Sequence, residues 1–185
     1  MKKFIFSLVF FAIASVAFAQ NIELGKEGFA ATQIEPAGYE ILLNETRQNA
    51  GAGKLVRNSE LDKYCYERCL RLAKIFMANP DDYQVNFESP NSTFHKEAHL
   101  GFTKIENAHN SFGNNPKVDK AALINNGYNH SPGHFKARVN PKWKNYGTCT
   151  IVISFVGINT DYDPSNPTSR KRMPQKITIS YEAFE

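Results

Sequence analysis

The chain is poor in most of the features that mark a specialised class. It has three cysteines, Cys65, Cys69 and Cys149. Small exported domains held by disulfides carry more, usually in even number, so this is not a disulfide scaffold. Cys65 and Cys69 stand at i, i+4 and not as C-x-x-C, which argues against a zinc ribbon or a thioredoxin-like pair. Charge of one sign is also lacking. The formal net charge is +4, too small for a nucleic-acid-binding surface. Basic residues cluster only at Arg170-Lys171-Arg172, beside Ser and Pro, which is the composition of a solvated loop tip. Beyond the first residues no stretch approaches the roughly 20 apolar residues a membrane-spanning helix needs. Internal repeats are absent as well.

The one apolar run is at the start. Lys2 and Lys3 precede a nearly unbroken apolar stretch from Phe4 to Val16, and Ala17-Phe18-Ala19 follows. A short positive region, a short apolar region and small residues at the cleavage positions make a secretory signal peptide over residues 1–19. Cleavage after Ala19 leaves Gln20 as the new N-terminus. The expected address is secreted: periplasm, cell surface or medium. No Cys follows the apolar stretch, so a lipid anchor there is not indicated. Roughly 165 residues remain, the size of one domain, which should bury about two-thirds of its unfolded surface. The formal charge falls from +4 to +2 when Lys2 and Lys3 leave.

Residues 20–37 form an N-terminal extension, of which 20–34 reads as an extended lead-in, and 38–185 the domain. A first helix is expected from Pro36, with Tyr39, Leu42, Leu43 and Thr46 at helical spacing and Gly51 and Gly53 ending it. A second begins at Ser59, with Asp62 close to a capping-box position. Its apolar stripe is Leu61, Tyr64, Cys65, Cys69, Leu72, Ala73 and Phe76, and Asn79-Pro80 stops it. Residues 80–117 show little periodicity. A third helix is expected near Asp119 to Asn125. Ser131-Pro132 supplies the N-cap and first residue of a short fourth helix.

The C-terminal part changes period. Cys149, Ile151, Ile153 and Phe155 alternate with Thr148, Thr150, Val152 and Ser154, and Ile177, Ile179 and Tyr181 repeat the alternation. These are two half-buried strands, which pair most simply antiparallel. Helices first and strands last give an α+β class with helices packed on a small antiparallel sheet. Two of the cysteines lie on the helix stripe and one on the strand's apolar face. Either Cys149 bridges to Cys65 or Cys69, which needs Cα atoms within about 7 Å, or all three are buried thiols.

Three segments carry a family resemblance. Tyr128-Asn129-His130-Ser131-Pro132-Gly133-His134, followed by Asn140-Pro141 and the strand after Gly147, resembles the second histidine motif of bacterial CAP domains. There an aromatic precedes N-S-P-G-H-R, a short helix and N-P. Leu42-Leu43-Asn44-Glu45-Thr46-Arg47 resembles the opening L-x-N-x-x-R helix of that family. Ile105-Glu106-Asn107-Ala108 is similar to its G-E-N motif with Ile for Gly, and His99 stands seven residues before Glu106. The resemblance spans about residues 38–183. It implies the fold of the CAP superfamily (cysteine-rich secretory proteins, antigen 5 and pathogenesis-related proteins), a three-layer α-β-α sandwich. It also implies a central cleft lined by His99, Glu106, Ser131 and His134. The second glutamate of many eukaryotic members would fall near Ser131, where this chain has none, and Tyr128 replaces the usual Trp.

Two imidazoles and a carboxylate on one pocket are donors for a divalent ion such as Zn²⁺. His99 and His134 are the candidate metal ligands. Three function classes follow. A secreted binding module would take a divalent cation, a small or lipid-like molecule, or a cell-envelope component. A metal-assisted hydrolase would use Glu106 as general base on a bound water. A protein-binding domain with a vestigial cleft would use the segments 80–117 and 157–175. His95-Lys96-Glu97-Ala98-His99 misplaces the Glu of a zinc-protease motif. Ser131 beside His134 reads as a helix cap before it reads as a nucleophile.

Overall fold

In the computed structural model the described residues are 19–23, 25, 27–78, 105–112, 119–158 and 172–185, with side chains for all but 105–112, 156–158 and 172–175. In chain order the elements are β1 (Ala19–Ile22), β2 (Phe29–Ile34), α1 (Tyr39–Asn49), β3 (Val56–Arg57), α2 (Ser59–Ala78), β4 (Ile105–Phe112), α3 (Lys120–His130), α4 (Pro132–Arg138), β5 (Asn145–Ile158) and β6 (Arg172–Phe184). The class is α+β. One sheet runs β1-β2-β5-β6-β4, and β3 pairs with the start of β5. Every pairing is antiparallel except β3 with β5.

The sequence pattern explains most of these elements, and local chemistry explains where they depart from it. The first helix starts at Tyr39, not Pro36. Gly38 sits at φ 80, in the left-handed region, and the Pro36 carbonyl accepts from the Tyr39 N–H at 3.1 Å in a tight turn. Helix α2 is capped by Asn58 and not through Ser59: its Oδ1 accepts from the N–H groups of Glu60 (2.9 Å) and Leu61 (3.2 Å). Asp62 instead reaches across to β5, accepting the Thr148 N–H at 2.9 Å. Helix α3 outruns its expected end at Asn125 by five residues, to His130. Asp119 caps it, accepting from the Ala122 N–H. Within the segment expected to be extended, Ala19–Ile22 and Phe29–Ile34 are strands and form a hairpin that joins the sheet.

Within the segment read as aperiodic, Ile105–Phe112 forms β4, an edge strand laid along β6 from Ile105 opposite Phe184 to Phe112 opposite Ile177. Its composition, Ile-Glu-Asn-Ala-His-Asn-Ser-Phe, has almost no local strand signal. The ladder offered by β6 overrides propensity here.

The strands are half-buried only in part. Odd-numbered residues of the β5–β6 pair (Cys149, Ile151, Ile153, Phe155, Ile177, Ile179, Tyr181, Ala183) face α2, where they meet Leu61, Cys65, Cys69, Leu72, Ala73, Phe76 and Met77. On the even-numbered face Thr148, Val152 and Ser154 are partly exposed and Lys176 is exposed, but the rest of the described side chains are covered. Thr150, Thr178, Ser180 and Glu182 are shut off from solvent, and Thr150 Oγ1 donates to Ser180 Oγ at 3.2 Å. Over them lie α1 and α3, which pack through Tyr39, Ala121, Ile124 and Tyr128, and a second cluster of Leu43, Leu55, Tyr146 and Phe184. The hairpin is fastened by aromatic packing: Phe29 stacks on Phe155 at 5.8 Å, and Phe76 meets Phe155 edge-on at 5.0 Å.

All three cysteines are free and buried. The helix-on-sheet packing does bring α2 to β5, and the Cys69 thiol donates to the Cys149 carbonyl at 3.3 Å. Burial pushes the thiols of Cys65 and Cys69 well above their ordinary range, so they pack as small hydrophobes.

Helix α2 lands on the sheet at Gly147. A Cβ there would lie 2.2 Å from the Leu61 carbonyl carbon and 2.5 Å from the Asp62 nitrogen. Both are backbone atoms of the first helical turn. Ala183, the register partner of Gly147, keeps the same window shallow. Gly147→Ala should therefore push the helix off the sheet and cost about 3 kcal/mol, the upper part of the overpacking range. Urea unfolding followed by far-UV circular dichroism would measure it. A change within about 0.5 kcal/mol, the range of an ordinary surface substitution, would contradict this close approach.

Candidate functional site

The site is built upward from the junction of α3 and α4. Ser131 serves both helices through its backbone. Its N–H donates to the Tyr128 carbonyl at 3.3 Å, ending α3, and its carbonyl accepts from Phe135 at 2.8 Å, starting α4. Its φ of −95° and ψ of 115° are those of an N-cap, but the hydroxyl makes no cap bond. The expected side-chain cap is thus corrected. Pro132 presets the first helical φ, and the backbone of Ser131 makes the turn without its hydroxyl.

His134 projects from the first turn of α4. It is half-buried, and its ring meets Tyr128 edge-on at 5.5 Å and 90°. His130 is exposed and tied to its own helix, with Nδ1 2.7 Å from the Asn126 carbonyl. Beside α3 and α4 runs β4, which carries Glu106 opposite Ala183 and His109 opposite Ser180 in the backbone register. The helix bearing His134 and the strand bearing Glu106 are therefore neighbours. The side chain of Glu106, and His99 and His95 entirely, lie outside the described residues. Among the described residues no group of three His, Cys, Asp or Glu is arranged to hold a metal ion.

What holds α4 in place was not anticipated from the sequence. Arg138, the last residue of the helix, is fully buried, and so is Glu182 on β6. Arg138 Nε lies 3.1 Å from Glu182 Oε1, an ion pair with the N–H off the line of a hydrogen bond. The other carboxylate oxygen accepts from the Tyr39 hydroxyl at 2.5 Å. Arg138 also donates to Asn125 Oδ1 at 2.9 Å, to the Asn125 carbonyl at 3.3 Å and to Asn129 Oδ1. Its guanidinium lies over the rings of Tyr128 at 5.3 Å and Tyr39 at 5.9 Å. Tyr128 donates to the Ser180 carbonyl at 3.0 Å.

A second buried arginine braces the exit of α4. Arg47, from the opening helix, donates to the carbonyls of Arg138, of Asn140 at 3.2 Å and of Gly53 at 2.7 Å. The carbonyls left unpaired at the end of α4 and in the turn after it thus find donors on α1.

The electrostatics follow from this packing. Burial, and then the Glu182 carboxylate, push the hydroxyls of Tyr39 and Tyr128 well above the ordinary tyrosine range. Burial also raises Tyr146. Burial works against the Arg138 charge, but Glu182 and the two tyrosines more than offset it, and its pKa is held above the usual value. The cluster therefore joins a permanent cation, a carboxylate and two neutral phenols, with Arg138 Nε facing its carboxylate by charge and not by a hydrogen bond. It holds α1, α3, α4 and β6 together.

A small cleft of about 110 Å³ opens at the other flank of β5, lined by Gln20, Gln33, Glu35, Arg57, Thr148 and Cys149 among others. It is bridged by Arg57, which pairs with Glu35 and with Asp62. None of the described histidines lines it.

Two outcomes test the cluster. Glu182→Gln leaves the Arg138 charge buried without its carboxylate and should cost about 3–5 kcal/mol in urea unfolding, whereas pairing it with Arg138→Met should cost less than the sum of the two single changes. Additive costs would show that the pair is not coupled. The second outcome concerns alkaline pH. Three tyrosines are raised in the folded state, so their contribution is fully present below the unfolded value near 10. It is lost as pH climbs from there toward the raised folded values. Stability should fall steeply above about pH 10, and Tyr39→Phe should flatten that fall; an unchanged alkaline slope would show that Tyr39 is not held neutral.

No protein-family model, curated protein or solved structure matches this chain.

Proposed function

We propose that the chain is an exported binding module with the CAP-type α-β-α sandwich, whose ligand cleft lies between α4 and β4. His99 and His134 line it together with Glu106 and Ser131, and it takes a divalent cation of the zinc class or a small ligand held through the same imidazoles. The observation that supports this is the clamping of α4. A helix of seven residues is too short to be stable alone. It is nonetheless fixed at its C-terminal end by a buried arginine paired with Glu182 and hydrogen-bonded to Asn125, and it lies against the strand that carries Glu106. Such an arrangement holds one side chain of the first turn, His134, at a defined position while leaving it half open.

A ligand set of two imidazoles leaves coordination positions for water or for a bound molecule. Ser131, without a cap bond to occupy its hydroxyl, is a donor and acceptor at the same wall.

Calorimetric zinc titration of the mature protein tests the proposal. His99→Ala and His134→Ala should each weaken binding by at least about tenfold, the loss that follows removal of even an outer-shell partner. His109→Ala should leave it unchanged. Affinity should also fall below about pH 6, because imidazole with a reference pKa near 6.5 must lose its proton to bind. Zinc binding that survives both histidine substitutions would rule out this cleft.

A further inference from the structure

We propose that the exported chain carries a pyroglutamate at position 20. The inference rests on the export reading above and adds to it a modification site. Cleavage after Ala19 falls inside β1, between its first and second residues. One pairing of the hairpin, Ala19 with Ile34, is lost. Gln20 opposite Gln33, Asn21 opposite Thr32 and Ile22 opposite Ala31 remain. The new α-amine is therefore delivered at the end of an edge strand that the sheet still holds.

Two features of that place permit ring closure. Gln20 is exposed, and among the described residues no hydrogen bond holds its side chain, whereas the next residue's amide is engaged, Asn21 Oδ1 accepting from Thr32 at 3.4 Å. The Gln20 amide is free to fold back on its own amine. Gln20 also shares the small cleft with Arg57, and the two carboxylates there, Glu35 and Asp62, are both paired with that guanidinium.

The step needs no partner. The α-amino nitrogen attacks the side-chain amide carbon, the N–Cδ bond forms, and the Cδ–Nε2 bond breaks. Nε2 leaves as ammonia with the proton given up by the amine. Nothing is oxidised or reduced. The product is a neutral lactam at the tip of β1, which aminopeptidases that require a free α-amine do not attack.

The test is N-terminal analysis of freshly exported protein by Edman sequencing and peptide mass spectrometry. The expected result is a blocked Edman reaction and an N-terminal peptide that starts at residue 20 and is lighter than the unmodified peptide by one ammonia. Digestion with pyroglutamyl aminopeptidase should restore sequencing from Asn21. Gln20→Asn should give an open N-terminus, because its shorter side chain would have to close a four-membered ring. A free Gln20 in the wild-type protein overturns the pyroglutamate and leaves export standing. A retained Met1 overturns both, and a mature start at any other residue overturns the modification.

Discussion

The structure depends above all on one buried charge pair, Arg138 with Glu182. Each is fully removed from water, and an isolated ion there would be strongly unfavourable. The pair persists because almost everything around it is arranged to satisfy it. The Tyr39 hydroxyl takes one carboxylate oxygen, Asn125 and Asn129 take the guanidinium hydrogens, and two phenol rings lie under the cation. These partners come from α1, α3, α4 and β6. Four elements distant in sequence are thereby joined at a single point, with directional contacts that apolar packing does not supply. Arg47 extends the same principle to the turn that follows α4.

Around that point the two faces of the sheet differ in kind. The α2 face is largely hydrocarbon, closed by Leu72, Phe76, Ile151 and Ile179, with Arg68 buried against Tyr181, and its stability is mainly that of area removed from water, about 1.5–3 kcal/mol per large side chain. The opposite face is polar and hydrogen-bonded, with Thr150, Thr178, Ser180 and Glu182 shut in beneath the other helices. The proposed cleft belongs to the second face. Its geometry is set by directional bonds and not by fill, which is the kind of support a binding residue requires.

Much of this was legible in the sequence. The helical stripe from Leu61 to Phe76, the alternation from Cys149 to Phe155 and from Ile177 to Tyr181, and Pro132 at a helix start are all local signals, and each lies where expected. What was not legible is long-range. Thr150 and Ser180 looked like the outer side of half-buried strands because polar residues at alternate positions ordinarily face water. Only the arrival of α1 and α3 on that side buries them. Glu182 carried no local mark at all, since a carboxylate in a strand gives the same pattern exposed or paired. Strand β4 was hidden for a related reason: its hydrogen bonds are supplied by β6, not by its own propensity. Asn58 was passed over as a cap because Ser59 beside it is an equally good one. At the candidate site, Ser131 and His134 are at the junction the motif indicated, while the role of Arg138, four residues on, could not be seen without Glu182.

The two unlike faces of β6 bear on how the chain finds its pairing. Neighbouring residues in a strand point to opposite sides, so a slip of one position against β5 exchanges the faces entirely. Glu182 would turn to the α2 side, where Tyr181 now meets the buried Arg68, and Arg138 would face Tyr181 without a carboxylate. A slip between two apolar faces would be cheap, since isoleucine packs on either side. Here it would break the Arg138–Glu182 pair, at a cost of about 3–5 kcal/mol. The carboxylate near the end of the last strand thus acts as an alignment key: the C-terminal strand fits the sheet in one registration, and the misaligned alternatives are disfavoured by electrostatics and not by shape.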